Sequence, residues 1–261
     1  MPKQSRIKRN NVCIQNKYKS ATSGKRLATS LKLATRYSKL VREFIMKIIV
    51  IPVTPYQQNC SLVICEETKT AAVVDPGGDV KHILDIIKKH DVSVDKIILT
   101  HGHLDHVGGT QSLVRELKVP IIGPEKEDQF WLDQLEAQSQ SFGFPMTISF
   151  LPDQWLAEDD IVEVGNIKLK VIHVPGHTPG HIALLDQQSN QIIVGDILFN
   201  GGIGRFDFPR GNQQQLITGI KEKLLTLPPE TVVFPGHGPT TTIGKEKASN
   251  PFLGGQNLWD M

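Results

Sequence analysis

The sequence predicts an α/β fold in which two sheets pack face to face and helices cover their outer sides. Two observations carry this expectation. The chain runs through two successive halves, each a series of short strand-like apolar runs accompanied by helical segments, a pattern that builds layered sheets. The composition is that of an ordinary globular protein, with 39% hydrophobic and 21% charged residues among 261. A chain of this length buries about 70–75% of the surface its unfolded form exposes, so it needs no disulfide staples. No apolar run approaches the ~18 residues that a membrane-spanning helix needs. No self-similarity at a period of about 20–50 residues marks a solenoid.

The elements follow in order. Residues 48–53 read as a strand, and 61–65 with 71–74 as a hairpin pair. Asp75-Pro-Gly-Gly-Asp79 reads as a turn that offers Asp79 as the N-cap of a helix running to about His90. Residues 96–100 form a short buried strand, 105–118 a helix, 119–122 a strand, and 125–141 a polar-faced helix. The second half contributes strands at 161–164, 167–174, 181–185 and 191–195, a helix at 213–225, and a strand at 231–234.

The net charge of +2 conceals an asymmetry. Residues 1–45 hold twelve Lys and Arg against one acid, Glu43, which leaves seventeen basic and 26 acidic residues for the rest of the chain. The expected organisation is therefore a basic leader, 1–45, ahead of a single acidic domain, 46–261. Leu27, Leu31, Ala34, Val41 and Ile45 repeat at helical spacing within the leader. Three readings of it stay open. It is an over-extended start or disordered leader ahead of Met46, an acid-poor, hydroxyl-rich transit segment, or a tail for nucleic acid or anionic lipid. The first places the protein in the cytoplasm, the second in the mitochondrial matrix. Cys13, Cys60 and Cys65 make no disulfide framework, and the odd offset between Cys60 and Cys65 points them to opposite faces of a strand.

The chemistry concentrates in Thr100-His101-Gly102-His103-Leu104-Asp105-His106, four metal-type side chains within six residues directly after an apolar strand. His101 and His103 share one side of an extended turn, and the chain then bends into a helix that brings Asp105 and His106 back to the same point. Imidazole nitrogens completed by carboxylate oxygen suit borderline cations such as zinc. Three further side chains, His177, Asp196 and His237, each stand at the carboxyl end of a strand, in loops that Gly and Pro fix. Counting ligands gives two ions: one on His101, His103 and His177, the other on Asp105, His106 and His237, with Asp196 free to bridge. Two adjacent cations lower the pKa of a bridging water and polarise a carbonyl, which is hydrolytic machinery.

This set of seven residues resembles the metallo-β-lactamase superfamily. The runs 202–211 (Gly-Ile-Gly-Arg-Phe-Asp-Phe-Pro-Arg-Gly) and 234–247, with Asn250-Pro-Phe-Leu253, resemble its short bacterial-type glyoxalase II branch, over about residues 46–253. The resemblance implies an αββα four-layer sandwich with two divalent metal ions, zinc foremost, with iron and manganese accepted in relatives. It further implies hydrolysis of S-D-lactoylglutathione to D-lactate and glutathione, as in methylglyoxal detoxification. A metal-bridging hydroxide would attack the thioester carbonyl, with Asp105 and Asp196 as the catalytic carboxylates. Longer glyoxalase II enzymes bind glutathione through a C-terminal helical domain. Only 24 residues follow His237, so that domain is expected to be missing and the substrate transfers less firmly than the metals.

Arg205 and Arg210 are candidates for gripping glutathione's carboxylates, with a structural pair between Arg205 and Asp207 as the alternative for the first. His173 and His181 read as supporting or packing residues, His82 and His90 as solvated, and Phe130 and Trp131 as packing, with the lining of a pocket mouth as the alternative. Three rivals remain. A persulfide dioxygenase shares the fold and the Gly-Arg-x-Asp-Phe phrase at 204–208 but uses one iron. A secreted β-lactamase is disfavoured because the leader lacks a secretory apolar core. A metal-dependent nuclease or nucleic-acid-binding protein is disfavoured by the acidic body. The expected partner is a small glutathione thioester, with neither nucleic acid nor membrane, and both monomer and homodimer stay open.

Overall fold

The structure, a computed structural model, describes residues 46–254; the leader at 1–45, with Cys13 and its apolar period, lies outside the described residues. Two mixed sheets dominate. The first runs in the order β1 (Met46–Val53), β2 (Gln58–Cys65), β3 (Thr70–Val74), β4 (Ser93–Ile98) and β5 (Ile121–Ile122). Its first three strands are antiparallel and its last three parallel. The second contains β6 (Ile161–Val164), β7 (Ile167–His173), β8 (Ile182–Asp186), β9 (Gln191–Gly195), β12 (Val232–Pro235) and β13 (Thr241–Thr242). Their spatial order is β13-β12-β9-β8-β7-β6, with β12 parallel to β9. A small ribbon, β10 (Leu198–Phe199) and β11 (Gly202–Ile203), follows β9.

Strand alternation sorts the core into three layers. In β2 and β3, Leu62, Ile64, Ala71 and Val73 face one way and Val63, Cys65, Ala72 and Val74 the other. The first set packs under α1 (Val80–His90), α2 (Leu104–Val107), α3 (Thr110–Leu117), and residues Leu132 and Leu135 of α4 (Gln129–Leu132) and α5 (Leu135–Phe142). The second set meets Val164, Leu169, Val171, Leu184 and Ile193 of the facing sheet. The outer face of that sheet is covered by α6 (Gln213–Gly219), its π-helical continuation Ile220–Leu224, and α7 (Ile243–Ser249). The layers are helix, sheet, sheet, helix, as expected. Strands buried on both faces read as unbroken apolar runs, which is why β2, β3 and β9 were visible in the sequence. Cys60 and Cys65 are free, buried thiols on opposite faces of β2, as their spacing indicated.

Several local expectations are corrected. Asp79 precedes α1 in a left-handed conformation and makes no side-chain cap to it; its Oδ2 instead accepts from Thr54 N–H at 2.7 Å, tying down the β1–β2 turn. The helix expected at 105–118 breaks at Gly108-Gly109, where Gly109 N–H reaches the Pro76 carbonyl at 2.8 Å. The helix expected at 125–141 is a 3₁₀ turn (Lys126–Asp128) followed by α4 and α5. His181 stands just before β8, and β10, β11, β13 and α7 had no counterpart in the sequence reading.

Candidate metal centre

The seven side chains arrive at one end of the sandwich from loops that follow β4, β7, β9 and β12. Ligand atoms of His101, His103 and His177 lie within 4.8 Å of one another, and those of Asp105, His106 and His237 form a second group by the same measure. Asp196 stands between them. Its Oδ1 is 3.4 Å from His106 Nε2, and its Oδ2 is 3.7 Å from His177 Nε2 and 3.8 Å from His237 Nε2. A single carboxylate therefore lies beside both groups.

The residues fit a pair of cations. The Nε2 atoms of His101, His103, His106 and His177 and Oδ1 of Asp196 are all buried without a hydrogen-bond partner. Each such orphan costs about 1–3 kcal/mol, and five converging on one space suit a bound cation there. Burial and neighbouring imidazoles hold His101 and His103 well below the usual range for histidine, and burial lowers His177 as well, giving neutral donor rings. Burial opposes ionisation of Asp196, yet His106, His177 and His237 outweigh it and keep the carboxylate charged. Burial likewise opposes charge on His106 and His237, and the adjoining carboxylates overcome it, so the space draws positive charge. Gly236 keeps that space open: a Cβ there would lie 2.2 Å from Asp196 Oδ1 and 2.6 Å from His106 Cε1.

A layer of hydrogen bonds aims the rings. His106 Nδ1 donates to Asp75 Oδ2 at 3.0 Å, and Asp75 also accepts from Thr100 N–H at 2.7 Å and the Thr100 hydroxyl at 2.6 Å. With that hydroxyl committed as donor, Thr100 Oγ1 accepts from His101 Nδ1 at 3.1 Å. His177 Nδ1 donates to the Arg205 carbonyl at 2.7 Å. In each case the Nδ1 proton is placed by its partner, which leaves Nε2 as the free donor. Asp75, His101 and His106 also cluster closely, but the Asp75 oxygens are occupied by these bonds. The sequence reading missed Asp75, which looked like a turn residue; the available signal was an acid ending a buried strand that pairs with β4.

It also missed Asp128. This fully buried carboxylate accepts from Gly102 N–H at 2.8 Å, the Thr178 hydroxyl at 2.8 Å and Gly180 N–H at 2.5 Å. Burial pushes its carboxyl up to about 7 against those three bonds. His181 does support the site: its ring stacks on His101 at 4.4 Å, its Nδ1 donates to Ile182 O, and its Nε2 accepts from Asp196 N–H at 3.0 Å. His173 Nε2 meets the Pro179 carbonyl at 2.8 Å, bracing the His177 loop.

Aromatic rings wall the mouth. Trp131, buried as packing requires, and Phe208 stand 4.4 Å and 5.0 Å from the His103 ring. The Arg205 guanidinium lies over Phe208 at 4.0 Å and is held by Asp207 through bonds of 2.8 Å and 3.2 Å, the structural pairing kept open above. Arg210 lies over Phe130 at 4.2 Å, with the Glu127 carboxylate 3.9 Å away. Both arginines are exposed at the rim, on rings that lead to the centre.

A helix–sheet–sheet–helix sandwich that gathers His and Asp at its strand ends, around space for two cations, defines a metal-dependent hydrolase. The chain belongs to the metallo-beta-lactamase superfamily, whose family model matches residues 53–237. It is 46% identical over 209 residues to the hydroxyacylglutathione hydrolase GloC of Haemophilus influenzae, covering 80% of this chain and 98% of that protein. Among solved structures, it resembles the B3 metallo-beta-lactamase BLEG-1 with a TM-score of 0.74 and 34% identity, over 81% of this chain and all of that one. It also resembles TTHA1623 in a di-iron-bound form, with a TM-score of 0.71 and 35% identity, over 78% of this chain and all of that one. Among the described residues, no helix is long and apolar enough to cross a membrane.

Proposed function

We propose that this metallo-hydrolase cleaves glutathione thioesters, with S-D-lactoylglutathione as the substrate and D-lactate and glutathione as the products. The observation that carries the reading is the pair of three-residue groups with Asp196 between them. The likeness to a hydroxyacylglutathione hydrolase across nearly all of that protein's length supports the substrate. His101, His103 and His177 would hold one divalent cation and Asp105, His106 and His237 the other, with Asp196 shared; zinc suits the donor set, and iron is the alternative. When bound, such a pair supplies an activated water at neutral pH and a Lewis acid for the carbonyl.

The chain's own residues do the rest. Asp105 and Asp196, both kept ionised, would help hold the cations, and Asp105 Oδ2 accepts from His237 at 3.1 Å, which ties the two ligands together. Trp131 and Phe208 exclude bulk water on one side. The departing thiol has an ordinary pKa near 8.5, so it leaves as thiolate without a strong general acid. Arg210, less engaged than Arg205, is the better partner for a glutathione carboxylate.

The complete Asp105/His106/His237 group favours two ions over the single iron of a persulfide dioxygenase. The likeness to a B3 metallo-beta-lactamase favours a second reading, β-lactam hydrolysis at the same centre. An amide nitrogen leaves less readily than a thiolate, so the thioester is the easier substrate for a site without a dedicated acid. Asp196→Ala separates the metal reading from others: it is expected to abolish turnover and to lower bound zinc from two equivalents to about one. Full turnover by that variant contradicts the assignment.

A further inference from the structure

We infer that Asp128 is a positioning residue that sets the geometry of the His101/His103/His177 half of the centre and leaves the Asp105/His106/His237 half untouched. The inference rests on the two-cation reading above. The first half is assembled from loops of different sheets: His101 and His103 follow β4 of the first, and His177 lies between β7 and β8 of the second. Asp128 comes from a third segment, the 3₁₀ turn beyond β5, and its two oxygens reach both loops.

Oδ2 takes the N–H of Gly102, the residue between the two histidines, and the hydroxyl of Thr178, next to His177; Oδ1 takes the N–H of Gly180. The three segments approach so closely that a Cβ on Gly180 would lie 2.5 Å from Asp128 N, and one on Gly102 3.1 Å from Asp128 O. Only a residue with acceptors and no donors satisfies all three groups, which is a carboxylate. One further bond joins the loops, from Ile182 N–H to the Thr100 carbonyl at 2.9 Å, but it lies upstream of His101.

The other half has clamps of its own, of which Asp75 also reaches His101 through Thr100. Asp75 holds His106, and the 235–238 loop that carries His237 is fixed from β2. There, Asn59 N–H donates to Gly236 O at 2.7 Å and Asn59 Nδ2 to the carbonyls of Pro235 and Gly238 at 3.0 Å and 2.8 Å. None of these bonds involves Asp128. Altering Asp128 should therefore unbalance two halves that are otherwise equivalent in ligand number.

The test is Asp128→Asn in the full chain. With its one oxygen on Gly102 and Thr178, the asparagine turns an NH₂ against the Gly180 N–H. Zinc affinities of both sites are measured by competition with a chromophoric chelator, and cobalt absorption identifies the site that stays filled. Removing such a supporting carboxylate typically weakens a metal site by about 10–100-fold. That loss is expected at one site only, with a remaining cobalt spectrum matching His177→Ala rather than His237→Ala. Equal loss at both sites, or none, overturns the inference.

Should Asp128→Asn fail to fold by circular dichroism, Thr178→Val removes one of the three donors. It is expected to weaken the same site, and Thr178→Ser to restore it; an unchanged Thr178→Val overturns the inference equally. A wild-type chain that takes up fewer than two equivalents contradicts the two-cation reading itself, a separate outcome from a wild type with two sites and an Asp128→Asn indifferent to both.

Discussion

At the scale of single residues, the centre depends as much on space as on ligands. Gly236 lies where any side chain would intrude between Asp196 and His106. Gly236→Ala is therefore expected to lose at least one equivalent of metal and most turnover while the far-ultraviolet circular dichroism stays that of the wild type; metal analysis of the purified variant checks this. Arg210 illustrates the opposite case, an exposed side chain whose removal leaves the centre intact. Arg210→Ala is expected to raise KM for the glutathione thioester about tenfold with little change in kcat, the signature of lost ground-state binding. A proportional fall in kcat would place Arg210 in the chemistry instead. The metal-type residues were legible in the sequence because His101, His103, His177, Asp196 and His237 each stand beside a Gly after a strand, and Asp105 and His106 complete the tight run that begins at His101. Asp75 and Asp128 were not, because their partners, Thr100, Gly102, Thr178 and Gly180, become neighbours only on folding.

At the scale of elements, the second sheet's helical cover keeps the His177 loop in place. Leu216 of α6 is fully buried, and a Cβ on Gly176 would meet its backbone at 2.5 Å, so helix and loop are packed without slack. Asn212 begins the helix, accepting from Gln215 N–H at 3.0 Å while its own N–H donates to Gly176 O at 2.8 Å. Leu216→Ala is expected to destabilise the fold by about 2–5 kcal/mol through the cavity it leaves. Urea unfolding of wild type and variant at fixed metal concentration measures it. Strands were read well because their burial on both faces writes them as continuous apolar runs. Helices were read less well. The break at Gly108-Gly109 is fixed by a hydrogen bond to Pro76, thirty-odd residues upstream, and the Gly-Gly pair was the local signal for it. The N-terminus of α7 did carry a local signal, Thr242 accepting from Lys245 N–H at 3.2 Å, but its small and charged residues gave little apolar period.

At the scale of the whole molecule, one architecture accounts for the site. Two sheets bring their strand ends to the same edge, and the metal-type side chains sit on the loops that leave those ends or, for Asp105 and His106, in the short helix that follows one of them. Resemblance in sequence to a hydrolase family and convergence of orphaned donor atoms in the structure agree. The charge asymmetry bears on partners: the body carries the acid and the segment ahead of Met46 the base. The most direct measurement is turnover of S-D-lactoylglutathione by the full chain loaded with two equivalents of zinc, followed by loss of the thioester absorbance. The account expects ready hydrolysis, abolished by a chelator and regained on adding zinc. Two bound equivalents with no hydrolysis of that thioester would contradict it.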